Sequence, residues 1–209
     1  QLLVVEGERH LRAGQIDAAD AAFQEAATLA KKAKRAETEA RAVAGKGSVA
    51  HHRRNFSGAE VHFTRAVNRM AKADAPRSMA RVMMEQGLLA RRQGRFREAA
   101  ELYDEASDGF READDLVGAA RARLGLARVR CQQLDLEAAR SWVDVATRAA
   151  AELLDPALRA ESLLVDGDVR RLAGDAEGAA SAYRAYLGFA ESSDPEGVVV
   201  AELGLAQLA

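Results

Sequence analysis

Cysteine occurs once in the 209 residues, at Cys131. A single thiol can form no disulfide within the chain and no cysteine-based zinc site. A buried, inert thiol is its expected state. Proline occurs three times, tryptophan once, and aromatics make up only 5%. The core therefore cannot rest on large aromatic anchors, and few residues are present that would interrupt a helix. β-branched residues form no alternating runs, which argues against sheets. Nowhere do about 18 apolar residues follow one another, so no membrane-spanning helix is expected. Charge of one sign is lacking too. Thirty Lys and Arg against 32 Asp and Glu leave a net charge of −2 and a pI near 6.2, and nucleic acid is not the expected partner of such a chain. Lysine is confined to positions 31, 32, 34, 46 and 72. Four of the basic residues, Lys31, Lys32, Lys34 and Arg35, fall at the end of an expected helix, where they complement its dipole.

What is abundant is Ala, Leu, Arg and Glu, the residues that lose least on entering a helix. Hydrophobic residues at 48% and charged residues at 30% suit a folded chain. The fold class expected is all-α. Arg in place of Lys, together with the abundant Ala, suggests a GC-rich bacterial genome. The chain opens on Gln1 in residues that read as mid-helix. A piece of a longer protein, cytoplasmic in location, is the expectation.

Self-similarity organises the chain. Gly7, Gly47, Gly87 and Gly167 open four segments that align without gaps, with spacings of 40, 40 and 80. Seven residues after three of them come Gly14, Gly94 and Gly174, suited to ending a helix in the left-handed conformation. Twelve after come Ala19, Ala59, Ala99 and Ala179, and sixteen after come Phe23, Phe63, Tyr103 and Tyr183. Ala26, Ala66 and Ala106 follow three further on. The fifth member is expected to be slipped, opening at Gly125, carrying Trp142 as its aromatic and holding one extra residue in its turn. Arg54 and Gln133 then take the place of the helix-ending glycine, and looser turns are expected there. Asp115, Asp155-Pro156 and Asp194-Pro195 read as helix starts, with a capping Asp and Pro in the first turn. Helices are expected at about 1–13, 17–33, 36–53, 57–73, 76–93, 97–113, 116–132, 136–152, 156–173, 176–191 and 195–208, each to a few residues. They group into one solenoid over 1–209, with repeats at 1–34, 35–74, 75–114, 115–154 and 155–193 and a closing helix at 194–209.

A small residue, Gly seven later, Ala five after that, and an aromatic four further on: this pattern resembles the tetratricopeptide repeat, most clearly at Gly87, Gly94, Ala99 and Tyr103. The unit is longer than the family's by about a turn per helix, and the Trp expected four before the first glycine is absent. The resemblance implies a right-handed α-solenoid of stacked antiparallel hairpins, first helices lining a concave face and second helices a convex one. It implies a protein-interaction or scaffolding module, the regulatory part of a larger bacterial signalling protein. The alternative is a ligand- or peptide-sensing domain of a bacterial regulator or kinase.

By the same resemblance the groove is lined by residues one, four and five after each first glycine, and three and six before it. These include Arg41, His52, Arg81, Arg91, Arg92, Arg130 and Arg171, a basic ladder suited to a protein or peptide partner with acidic or phosphorylated side chains. The competing reading is that these arginines pair internally, with Glu8, Glu85 and Asp168. The family's grip on chaperone C-termini needs Lys and Asn where Val4, Glu8, Ala44, Ser48, Met84 and Leu88 stand, and is not expected. Neighbouring His51 and His52 diverge on a helix, and with His62 they read as surface residues rather than metal ligands. No cofactor is expected, and no convergent catalytic set, so no enzymatic activity. Met70, Met79, Met83 and Met84 read as gap-fillers or as an adaptable docking surface. Self-association through exposed terminal repeats, with Val198, Val199, Val200 and Leu203 at one end, is also open.

Overall fold

The computed structural model describes residues 1–189 and 195–208. They form eleven helices and, among the described residues, no strand: α1 (Leu2–Arg12), α2 (Ile16–Lys32), α3 (Ala36–His52), α4 (Phe56–Lys72), α5 (Pro76–Arg92), α6 (Phe96–Glu112), α7 (Leu116–Gln132), α8 (Leu136–Glu152), α9 (Pro156–Leu172), α10 (Ala176–Phe189) and α11 (Pro195–Ala206). The expected cap at Asp194 and the expected end of α10 at 191 lie outside the described residues.

The sequence pattern recurs once per hairpin, but the backbone recurs once per helix. Helices α2 to α9 are each 17 residues long. Each hands over to the next through one left-handed residue, and these fall at 14, 34, 54, 74, 94, 114, 134, 154 and 174. In every turn the residue after the left-handed one donates its N–H to a carbonyl five residues back, as Asp115 does to Phe110 at 2.8 Å and Asp175 to Arg170 at 2.9 Å. This is the 6→1 bond of a Schellman ending. Side-chain caps open several of the helices. Asn55, Asp115, Asp135, Asp155 and Asp175 accept from the backbone N–H three residues on, at 3.0, 2.8, 3.2, 2.7 and 2.9 Å.

Two expectations are corrected by this regularity. The fourth hairpin is not slipped: α7 and α8 begin at Leu116 and Leu136, in step with α5 and α6 at Pro76 and Phe96, and no extra residue lies between them. Ala127 is therefore the counterpart of Gly87, and Val143, not Trp142, that of Tyr103. The left-handed residue of that hairpin is Leu134 (φ 60°), not Gln133. Nor are the glycine-free turns looser. Asn55 N–H reaches Ala50 O at 2.9 Å and Asp135 N–H reaches Arg130 O at 3.0 Å, the same closure as Arg95 to Ala90 at 2.9 Å.

Gly125 misleads the alignment because it packs for a different reason. Phe23, Tyr103 and Tyr183 are each clasped on two sides. A methyl group on Gly7 or Gly45 would overlap the Phe23 ring, one on Gly125 would meet Tyr103 at 2.5 Å, and one on Gly167 or Gly204 would meet Tyr183 at 2.5 Å. So the first glycine of a hairpin clasps the ring from its own unit, and a second, from the next unit, clasps it from the other side. In the fourth hairpin the ring is traded for Val143, and its flanks are Ala127 and Val165, all in one buried cluster. The same three positions are filled by a different division of side-chain volume.

Neighbouring helices pack in chain order. Beyond that, α1 touches α3, α3 touches α5, α5 touches α7, α7 touches α9 and α9 touches α11, whereas among the described residues no two of the even-numbered helices meet. The odd helices thus form the inner wall and the even ones splay outward, as the resemblance implies. Helix α7, at the centre of this wall, buries residues on most of its faces, from Ala119 and Ala120 to Val129 and Cys131. No helix among the described residues is long and apolar enough to cross a membrane.

A concave groove as candidate binding site

The inner wall encloses a groove in two stretches. The first, about 390 Å³, lies against α1, α3 and α5; the second, about 810 Å³, lies against α5, α7, α9 and α11. Glu85 lines both. Arg41, His52 and Arg81 line the first stretch, and Arg91, Arg92 and Arg171 the second. Arg130 lines neither. With the fourth hairpin in strict register, α7 turns Arg121 and Arg128 to the groove, while Arg130 donates to Gln133 Oε1 at 3.1 Å. Arg41, Arg81 and Arg121 hold the same position in successive hairpins, so counting the period through without a slip finds the residue that the glycine alignment misses.

Internal pairing accounts for part of the ladder. Arg41 lies 3.2 Å from Glu8, Arg121 2.9 Å from Glu161 and Arg171 3.6 Å from Asp168. The last pair has a third member, because Tyr183 donates its hydroxyl to Asp168 Oδ1 at 2.8 Å and accepts from Arg171 Nε at 3.3 Å. Burial, opposed by Arg171 and reinforced by Asp168, pushes the Tyr183 hydroxyl up to about 12. Tyr103 is raised as well, by burial, against the pull of Arg91 and Arg128. These hydroxyls stay protonated and act as hydrogen-bond donors.

Glu85 takes the position that Gly45 and Gly125 occupy in their hairpins. Burial pushes its carboxyl above the usual range, with Arg92 and Arg81 pulling back. Cys131, on the groove floor, is pushed up to about 11 by burial and by Asp168. Such a thiol carries almost no thiolate at neutral pH and is a poor nucleophile.

Two of the three histidines differ from the surface placement expected. His51 is buried, 8% exposed, its ring edge-on to Phe56 at 5.9 Å. Its Nε2 lies 3.0 Å from Arg92 Nη1; guanidinium can only donate, so Nε2 accepts and the ring proton sits on Nδ1. His52 is exposed, and His62 is partly buried and lowered by desolvation. Among the described residues no three of His, Cys, Asp or Glu are placed to hold a metal ion. Met70 is buried in the core and reaches the floor of the first stretch, while Met84 lines the second.

Fold and groove together define a helical-hairpin solenoid with an open groove along its inner wall. Residues 78–152 match the tetratricopeptide repeat family, and hairpins of the same geometry continue on both sides; the fold of the described residues is a solenoid of the tetratricopeptide-repeat type. A comparison with the curated proteins gives no match. Among solved structures it is similar to BtubC from P. vanneervenii, with 16% identity over 90% of this chain and 78% of that one and a TM-score of 0.70. It is also similar to aspartyl phosphate phosphatase F from Bacillus subtilis, with 14% identity and a TM-score of 0.73, and to the apo form of RapI, with 15% identity and 0.69. It is covered to 99% in both, and spans 58% of each.

Proposed function

We propose that the groove holds an extended, acidic segment of a partner protein, and that the chain is the interaction module of a larger bacterial regulatory protein. The observation that carries this reading is the second stretch of the groove, where Arg91, Arg92 and Arg128 stand among the apolar steps Met84, Leu88 and Leu164. Arginine forks pair with carboxylates along a backbone, while the apolar steps accept the side chains between them. The internal pairs at Arg41, Arg121 and Arg171 support the same reading, since each shows that a groove arginine accepts a carboxylate at ordinary distance. A double Arg91→Glu, Arg92→Glu variant should lose the natural partner in a pull-down and keep its helical circular dichroism spectrum. Retention of the partner by that variant would sink the proposal.

A second reading has one observation in its favour. Gly197 and Val200 of α11 line the same space as Leu88 and Arg92 of α5. The wall therefore curls until α11 shares one space with α5, a shape suited to closing on a small ligand or signal peptide. Small-angle scattering would show a fall in radius of gyration on ligand binding for such a sensor, and none for a static scaffold.

A further inference from the structure

The fifth hairpin contains a finished version of something the third leaves open. In the fifth, Arg171 and Tyr183 converge on Asp168: the tyrosine hydroxyl donates at 2.8 Å, Arg171 Nε donates to that hydroxyl at 3.3 Å, and Arg171 Nη2 lies 3.6 Å from the same carboxylate oxygen. Two hairpins earlier stand Arg91, Tyr103 and, in the place of Asp168, Leu88. The cation and the hydroxyl are kept and the carboxylate is gone. Among the described residues no carboxylate lies within ion-pair distance of Arg91, and its Nε is buried without a hydrogen-bond partner, whereas that of Arg171 is used. Arg128 of α7 adds a second positive charge to the field at that hydroxyl, and Glu85 of α5 a negative one. Leu88, Arg91, Tyr103 and Arg128 all line the larger stretch of the groove.

We propose that Arg91, Tyr103 and Arg128 form a subsite for the carboxylate of one Asp or Glu side chain of the bound segment, seated where Asp168 sits in the fifth hairpin. The proposal rests on the reading of the groove as a site for an acidic segment, and gives that reading its anchor. A carboxylate here would accept from the tyrosine hydroxyl and from the Arg91 fork, with Arg128 supplying further charge. Leu88 leaves an apolar wall for the ligand's methylene.

The test uses the full chain and a fluorescein-labelled octapeptide of alternating Asp and Ala, with Asn–Ala and phosphoserine–Ala octapeptides beside it. Leu88→Asp, which restores the internal carboxylate, should weaken binding of the Asp peptide about tenfold, the order expected when a charge-assisted pair is pre-empted. Leu88→Asn, isosteric with Asp and uncharged, should weaken binding only about two- to threefold, the loss of the apolar wall without the pre-empting charge. Asp168→Leu should open a second site and raise the stoichiometry from one peptide to two. Equal binding by Leu88→Asp, or equal losses with Asp and Asn, would overturn the subsite. If the Asp peptide shifts the side-chain NMR signals of Arg121 and Arg171 but not Arg91, the subsite is wrong and the acidic groove stands. If it shifts none of them, both readings fall. Binding of the phosphoserine peptide alone would overturn the carboxylate in favour of a phosphate.

Discussion

Single residues carry the regularity of this molecule, and some do so under strain. Six of the nine left-handed turn residues have side chains: Lys34, Arg54, Asp74, Asp114, Leu134 and Leu154. A Cβ in that conformation costs about 1 kcal/mol or more relative to glycine. Leu154 is 85% exposed and so gives up little packing on truncation. Leu154→Gly should therefore raise stability by about 1 kcal/mol, a gain of about 2–4 °C in Tm for a chain of this size; an unchanged or lowered melting temperature would contradict the strain. The opposite change at a clasping glycine should be harmful. Gly125→Ala drives a methyl into the Tyr103 ring and should cost about 1–3 kcal/mol in urea unfolding. Glu85 adds a pH dependence. Its carboxyl is raised in the folded state, so folding favours the protonated form, and its contribution to stability falls as pH rises from the usual Glu range through the raised value. Glu85→Gln should raise Tm at pH 7 and leave it nearly unchanged at pH 4.

At the scale of elements, volume is shared between hairpins. Val143 with Ala127 and Val165 fills the space that Tyr103 fills with Gly87 and Gly125. Val143→Tyr alone should destabilise by about 1–3 kcal/mol through overpacking. Adding Ala127→Gly and Val165→Gly should recover part of that loss, a coupling that a double-mutant cycle measures. Most of this level is legible in the sequence. Helix ends follow from the turn residues and caps at Asp115 and Asp155, because capping is local chemistry written in two or three neighbouring positions. What local chemistry does not disclose is the role of Gly125. Two glycines, two positions apart in the repeat, serve opposite sides of different rings, and only the packing separates them. The mistaken register puts Arg130 in the place that Gln132 holds and leaves Arg121 and Arg128 out of the expected ladder. The burial of His51 is hidden for a similar reason, since it depends on Phe56 and on Arg92 of the next hairpin.

Across the whole molecule, each helix of the inner wall depends on its neighbours and on little else. Stability should then be graded along the chain. Helix α7, packed against α5, α6, α8 and α9, should show the slowest amide exchange in native-state hydrogen exchange, and α1 and α11, each packed against two helices alone among the described residues, the fastest. Uniform protection across the eleven helices would indicate a single cooperative unit instead. The basic character of the groove can be read in the sequence as a ladder, but its chemistry cannot. Arg171 pairs with a carboxylate one helical turn away, whereas Arg41 and Arg121 pair with carboxylates in adjacent hairpins, and spacing does not rank the near partner against the far one.

Left-handed turns that recur at the end of every helix also give the chain a unit of length. Removing or inserting one helix with its turn would move every later helix from the inner wall to the outer one, turning groove side chains to solvent. A change of one whole hairpin would shorten or extend the groove by a single rung and leave the rest in place. Growth and loss in such an architecture are quantised in pairs of helices, so the reach of its grip is counted in whole hairpins.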